Sequence, residues 1–232
     1  VATVSERVTI SFTDAARRIQ GVAITGQGTL VKHADELTAA APPELSRDGE
    51  GWTVHAGDAL ALTLTPIEAT GSASDGSVTA HLAVGAAGGQ QVEGLALVRR
   101  DPEGSGTALE RSIEILFDAQ LLFAARASRP QGAEGHGQEG LEAIVLRGAP
   151  LELAAIEKPR LSTTYDADGQ LTHAGLELWE SEESELPLRI GGEAVASTEL
   201  GGPEGIATEV TFVSWHHNGR RGLGTYTISR GA

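Results

Sequence analysis

The sequence predicts an all-β chain built as two consecutive antiparallel β-barrels that arose by internal duplication. Three observations carry this expectation. Short apolar or alternating runs recur along the whole chain, Gly, Pro, Asp and Asn separate them, and three segments of the first half return in the same order in the second.

The runs begin with "RVTISF", "GVAI", "GTLVKH", "WTVHA", "ALALTL", "VTAHLAV" and "EGLALV" and continue with "SIEILF", "QLLFAA", "LEAIVL", "LELAAI", "LTHAGLELW", "LPLRI", "TEVTFVSW" and "TYTI". Most have strand length, and their alternation gives one face to a core and the other to solvent. Hairpin turns are expected at Asp75–Gly76, Asp168–Gly169 and Asn218–Gly219, where glycine takes positive φ without a Cβ clash. The helix-like pieces "DAARRIQ" and "HADELTAAA" are too short to organise a domain.

The duplication is read from three pairs. "ERVTISFTDA" (6–15) matches "ERSIEILFDA" (110–119), "GDALALT" (57–63) matches "GEAVAST" (192–198), and "GQQVEGLALVRR" (89–100) matches "GRRGLGTYTISR" (219–230). The offsets of 104, 135 and 130 place an insertion in the second copy, within 120–190. The charged, Pro-Gly-Ser stretch "RRDPEGSGTALER" is the expected linker, so the domains are 1–105 and 106–232.

Composition narrows the function. Of 232 residues 40% are hydrophobic, enough for ordinary cores, but only 4% are aromatic, so Val, Leu, Ile and Ala must fill them. The absence of cysteine removes disulfides, thiolate metal sites and cysteine nucleophiles. A net charge of -15 opposes phosphate-rich partners, so no nucleic acid is expected. No run approaches the roughly 18 to 20 apolar residues of a membrane-spanning helix, and "VATVSERVTISF" lacks a secretory pattern, so a cytoplasmic protein is expected. No GxSxG elbow, P-loop, HExxH or EF-hand pattern occurs, and no cofactor or metal is expected.

The stretch "VSWHHNGRRGLGTY" concentrates the remaining chemistry. With Asn218 and Gly219 in the turn, Trp215 faces Gly222, His216 faces Arg221 and His217 faces Arg220. One strand face then carries Val213, Trp215, His217, Arg220 and Tyr226, with Trp215 expected to cover the bare backbone of Gly222. Adjacent His216 and His217 point to opposite faces and cannot chelate one ion. The expected ligand-binding set is Val213, Trp215, His217, Arg220 and Tyr226; the bland reading is a solvated hairpin tip.

"GHGQEG" (135–140) formally fits GxGxxG, but a loop precedes it and a strand follows, which excludes a dinucleotide site. Its His136 and Glu139 are instead candidate acid-base groups at a barrel mouth. The acidic "WESEESE" (179–185) lacks calcium-loop spacing and reads as a solvated loop, and the scattered His33, His55, His81 and His173 read as structural.

The duplicated layout, the "GHGQEG" loop and the closing "WHHNGRRGLGTYTI" resemble the tandem lipocalin-like group, which includes carotenoid hydratases of the hydroxyneurosporene synthase type and uncharacterised bacterial relatives. The resemblance implies two lipocalin-like barrels and handling of large apolar isoprenoid or polyketide substrates by hydration or cyclisation. It carries over Glu139 as an acidic group and Trp215 as a cavity aromatic. Three functions stay open: binding of a small apolar, lipid- or isoprenoid-like molecule; a hydratase, isomerase or cyclase using Glu139 or His136; and a structural protein with filled barrels.

Overall fold

The computed structural model of the chain describes residues 6–71, 78–102, 107–133, 138–181, 183–202 and 207–230. Its strands in chain order are β1 (Glu6–Asp14), β2 (Ile19–Ile24), β3 (Gly28–His33), β4 (Glu36–Ala40), β5 (Glu44–Asp48), β6 (Gly51–Ala56), β7 (Leu60–Pro66), β8 (Ala69–Thr70), β9 (Val78–Ala87) and β10 (Gln90–Pro102). They continue as β11 (Thr107–Asp118), β12 (Leu121–Pro130), β13 (Gly140–Arg147), β14 (Leu151–Ala155), β15 (Lys158–Tyr165), β16 (Leu171–Trp179), β17 (Leu188–Gly201), β18 (Ala207–His217) and β19 (Arg220–Arg230). No α-helix occurs among the described residues. The chain is all-β, in two large, predominantly antiparallel sheets, each with its own core.

Both helix-like pieces are something else. After Asp14 the chain turns tightly, with Asp14 Oδ1 accepting from the Arg17 amide at 3.0 Å and Arg18 at φ 55°, and β2 starts at once. "ELTAA" forms β4 after a turn in which Ala34 takes φ 50°. Local side-chain-to-backbone bonding and strand pairing outweigh helix propensity in pieces this short.

The first sheet runs β4-β3-β2-β1-β10-β9-β7-β6-β5 and the second β15-β16-β17-β18-β19-β11-β12-β13-β14-β8. Read from the opposite edge and without the two-residue β8, the second order is the first with β1 replaced by β11, β7 by β17 and β10 by β19. Those three replacements are the pairs of elements that the sequence matches. The second copy is longer in several places: β12 has ten residues where β2 has six, β15 eight where β5 has five, and β16 nine where β6 has six.

The matched elements agree, but the first match is out of register. Gly94 and Gly224 occupy equivalent places, because a Cβ on either would stand 1.9 Å from a neighbouring carbonyl, that of Thr13 or that of Glu114. Val98 therefore corresponds to Ile228, and since Val98 pairs with Ile10 while Ile228 pairs with Arg111, Ile10 corresponds to Arg111. The offset of 104 instead places Ile10 on Glu114. An error of three residues is odd, so it exchanges the two faces of the strand.

In the first sheet the alternation buries Val8, Ile10 and Phe12 of β1 with Leu60, Leu62 and Leu64 of β7 in one core. On β9, His81 is 1% exposed and its Nε2 lies 2.9 Å from Thr79 Oγ1. Burial, with a smaller contribution from Arg47, lowers its pKa from 6.5 to about 4. An unfolded chain therefore takes up this proton at higher pH than the folded one does. The stabilisation is complete above about pH 6.5 and is lost as pH falls toward 4. In urea unfolding, the protein should lose about 3 kcal/mol more between about pH 7 and about pH 4 than its His81→Leu variant. Equal losses would contradict a neutral buried His81.

Candidate functional site

The second sheet curls around one core, to which β11 gives Ile113, Ile115 and Phe117, β12 gives Phe123 and Ala125, β18 gives Val213 and Trp215, and β19 gives Tyr226 and Ile228. The opening hairpin has the expected register, with Trp215 opposite Gly222, His216 opposite Arg221 and His217 opposite Arg220. Asn218 and Gly219 both take positive φ, 46° and 77°, as a two-residue hairpin turn of matching twist requires.

The packing partner of Trp215 is different from the one expected. A Cβ on Gly222 would meet Phe117 at 2.7 Å, so this glycine makes room for the β11 ring. Trp215 instead presses on Gly192 of β17, where a Cβ would lie 2.5 Å from its ring and 2.6 Å from Val213 Cγ1. Cross-strand pairing fixes which residues are opposite, whereas ring direction depends on strands the pairing does not include. Val213 and Trp215 are both fully buried and belong to the packed interior.

Cavities open at the two ends of this core. At the hairpin end a pocket of about 560 Å³ is lined by Leu121, Phe123, Val145 and Leu188 with Arg147, His217, Asn218 and Arg220. His217 is held there with both ring nitrogens engaged. Nδ1 donates to the Arg189 carbonyl at 2.8 Å, and Nε2 accepts from Asn218 Nδ2 at 3.2 Å, while Phe117 and Phe123 flank the ring. Arg220 reaches Asp118 at 3.2 Å, and Arg147 is ion-paired with Glu180. Each cation here has its own carboxylate.

At the other end two pockets, of about 430 Å³ and 340 Å³, share Arg111 and Thr163 in their walls. The larger is bounded by Leu109, Ile228, Tyr165, Arg129 and Arg230, and the smaller by Ala127, Leu141, Leu161 and Glu139. Arg111 follows the inward alternation of β11 and is placed one turn of the pleat beyond Ile113. Its guanidinium is ion-paired with Glu139, the residue just before β13, and Arg129 Nε stands 3.9 Å from the other oxygen of the same carboxylate. The Glu139 side chain is only 7% exposed and that of Arg111 13%.

Two hydroxyls complete this mouth. Tyr226 Oη lies 3.1 Å from Tyr165 Oη, with Tyr226 buried and Tyr165 partly exposed. Burial, reinforced by Tyr165, pushes the Tyr226 phenol well above its usual range against the opposing pull of Arg111, so it remains a donor. Burial opposes the charge on Arg111, yet Tyr226 and Glu139 together raise its pKa.

The sequence-derived residues therefore divide. Glu139 and the Tyr226 hydroxyl belong to the Arg111 end, His217 and Arg220 to the hairpin end, and Val213 and Trp215 to the packing between them. His136 lies outside the described residues. Arg111, Arg129, Thr163 and Tyr165 were not singled out. A signal for Arg111 alone was available in "LERSIEILF", where a charged residue occupies an inward position, but the offset of 104 matched it with the outward Arg7 and concealed it.

No family model matches the chain, and no curated protein matches it in sequence. Solved structures do. The protein assigned as AttH from Nitrosomonas europaea superposes with a TM-score of 0.63 at 10% identity, covering 97% of this chain and 92% of that one. Kievitone hydratase from Nectria haematococca gives 0.58 at 11% identity, over 100% and 90%. The structure of CghA with Sch210972 gives 0.54 at 10% identity, over 97% and 88%. This chain shares their fold. It is the tandem lipocalin-like fold that the sequence resembles. Among the described residues no helix is long and apolar enough to cross a membrane, and no group of three potential metal ligands comes together.

The ion pair at the mouth makes a stability prediction. Glu139→Gln leaves a largely buried guanidinium without its nearest counter-charge and should cost about 2 kcal/mol in chemical denaturation. Adding Arg111→Met to that variant should restore most of the loss; strictly additive losses would show that the two side chains do not depend on each other.

Proposed function

We propose that the second sheet binds a small, largely apolar molecule of lipid or isoprenoid type at the mouth where Arg111, Glu139, Tyr165 and Tyr226 converge. The observation that carries this reading is the pair of cavities meeting at Arg111 and Thr163. Each exceeds the roughly 300 Å³ at which ligand pockets begin, and each combines apolar walls with a few polar groups. The core of Trp215, Phe117 and Phe123 forms a solid floor, so the ligand occupies an end of the sheet rather than its whole interior. A purely structural role with a filled interior fits that floor but leaves the convergence of ionic and phenolic groups at its rim without a purpose.

A second reading is supported by Glu139. It is a carboxylate almost withdrawn from solvent, set in a pocket wall and paired with Arg111, which also contacts the Tyr226 phenol that keeps its proton. Such a pair could serve acid-base steps of a hydration, isomerisation or cyclisation, with Glu139 exchanging the proton and Tyr226 donating to a substrate oxygen. Kievitone hydratase shares the fold, which makes this chemistry worth testing on the same molecule. His136, from the same loop, stays a candidate partner of Glu139 in that reading, and His217 and Arg220 stay candidates for contacts at the hairpin end.

Filling the larger pocket tests the binding reading. The neutral probe Nile red should bind the protein with a blue-shifted emission, and Leu109→Trp should weaken that binding about tenfold or more while leaving the thermal midpoint within a few degrees. Undiminished binding would move the ligand site elsewhere.

A further inference from the structure

The two mouths of the second sheet differ in how their cations are paired. At the hairpin end Arg147 has Glu180 and Arg220 has Asp118. At the other end, among the described residues, Arg111 and Arg129 share the carboxylate of Glu139, and Arg230 stands 4.0 Å from Glu209. Counted over the described residues, two guanidinium groups on this carboxylate leave one positive charge in excess, in a chain whose net charge is -15. The Nε of Arg111 is moreover buried with no hydrogen-bond partner among the described residues. A buried donor without an acceptor is unfavourable unless something else satisfies it.

The hydroxyls add a second donor. In the Tyr165–Tyr226 contact one hydroxyl donates to the other, and the acceptor keeps its own proton for an oxygen outside the pair. The walls beside these groups, Leu109 and Ile228, are apolar. A planar guanidinium fork, a spare phenolic proton and an apolar wall suit a molecule that is charged at one end and hydrocarbon at the other.

We propose that the molecule held at this mouth bears a carboxylate, received by Arg111 and Arg129 with Arg230 at the rim, and that its apolar body lies along Leu109 and Ile228. This inference rests on the binding function proposed above and specifies its ligand class. Fork-to-fork pairing with a carboxylate places both ligand oxygens on N–H donors, and the Glu139 carboxylate holds the two arginines at one place to receive it.

The test compares cis-parinaric acid with its methyl ester by fluorescence titration. The two probes share their hydrocarbon and differ only in head-group charge. The acid should bind about tenfold more tightly than the ester, and added salt should narrow that difference. Arg129→Gln should bring the acid down to the ester's affinity and leave the ester unchanged, which also shows that the variant is folded. Arg147→Gln, at the hairpin end, should change neither. Ester binding as tight as the acid would overturn the carboxylate while leaving apolar binding in place. Loss of acid binding in Arg147→Gln rather than Arg129→Gln would overturn the placement, and failure of both probes to bind would overturn the binding reading together with the inference.

Discussion

The second sheet depends on leaving side chains out at chosen inward positions. A curled sheet has less room on its concave face than on its convex one, so large rings can point inward only where a neighbouring strand offers bare backbone. Gly192 receives Trp215 and Val213, Gly222 receives Phe117, and Gly224 lets β19 approach the Glu114 carbonyl of β11. With these fits the middle of the sheet is solid, and Trp215 and Tyr226 are among the largest fully buried side chains of the described residues. The cavities described above lie at the ends of the sheet. Whatever the protein binds there meets the polar groups that terminate the inward rows, and those rows end differently at the two mouths.

That asymmetry follows from the alternation of each strand. On β11 the inward series Leu109, Arg111, Ile113, Ile115 and Phe117 replaces one apolar residue by a guanidinium near the strand's start. The corresponding position of the first sheet is Ile10, packed in an apolar core. The same architecture thus buries an isoleucine in one copy and supports a charged pocket in the other. The longer β12 carries Arg129 to this point and Glu139 stands there just before β13, so the added chain of the second copy and the inward charge of β11 act at one place. At about 10% identity to the solved structures that share the fold, the chemistry of the chain has to be argued from these residues, since fold alone supports many functions.

Much of this was legible in the sequence because it is local or periodic. Alternation and turn residues foretold the strands, and Asn218–Gly219 foretold the register of the last hairpin to the residue. The three self-matches found the correct pairs of elements. The first of them failed on register, because Glu-Arg at 6–7 and at 110–111 attract each other in an alignment although they lie on opposite faces. That single slip hid Arg111. The partner of the Trp215 ring was likewise illegible, since Gly192 lies 23 positions away and only the order of strands brings it near. Arg129 comes from β12 and Thr163 and Tyr165 from β15, and nothing in spacing links those two strands before the sheet curls. Glu139 was found by its residue type in a glycine-rich loop, and its partner could come only from the fold.

If the Arg111 mouth holds a small molecule in the working protein, that molecule should accompany the protein through purification. Native mass spectrometry of the protein purified from its own host reads this out, with Leu109→Trp prepared in parallel. A retained mass is expected on the unaltered protein, released on denaturation and absent from the filled-pocket variant. A bare protein that also takes up no apolar compound from a host lipid extract, or a molecule retained equally by both, would contradict it.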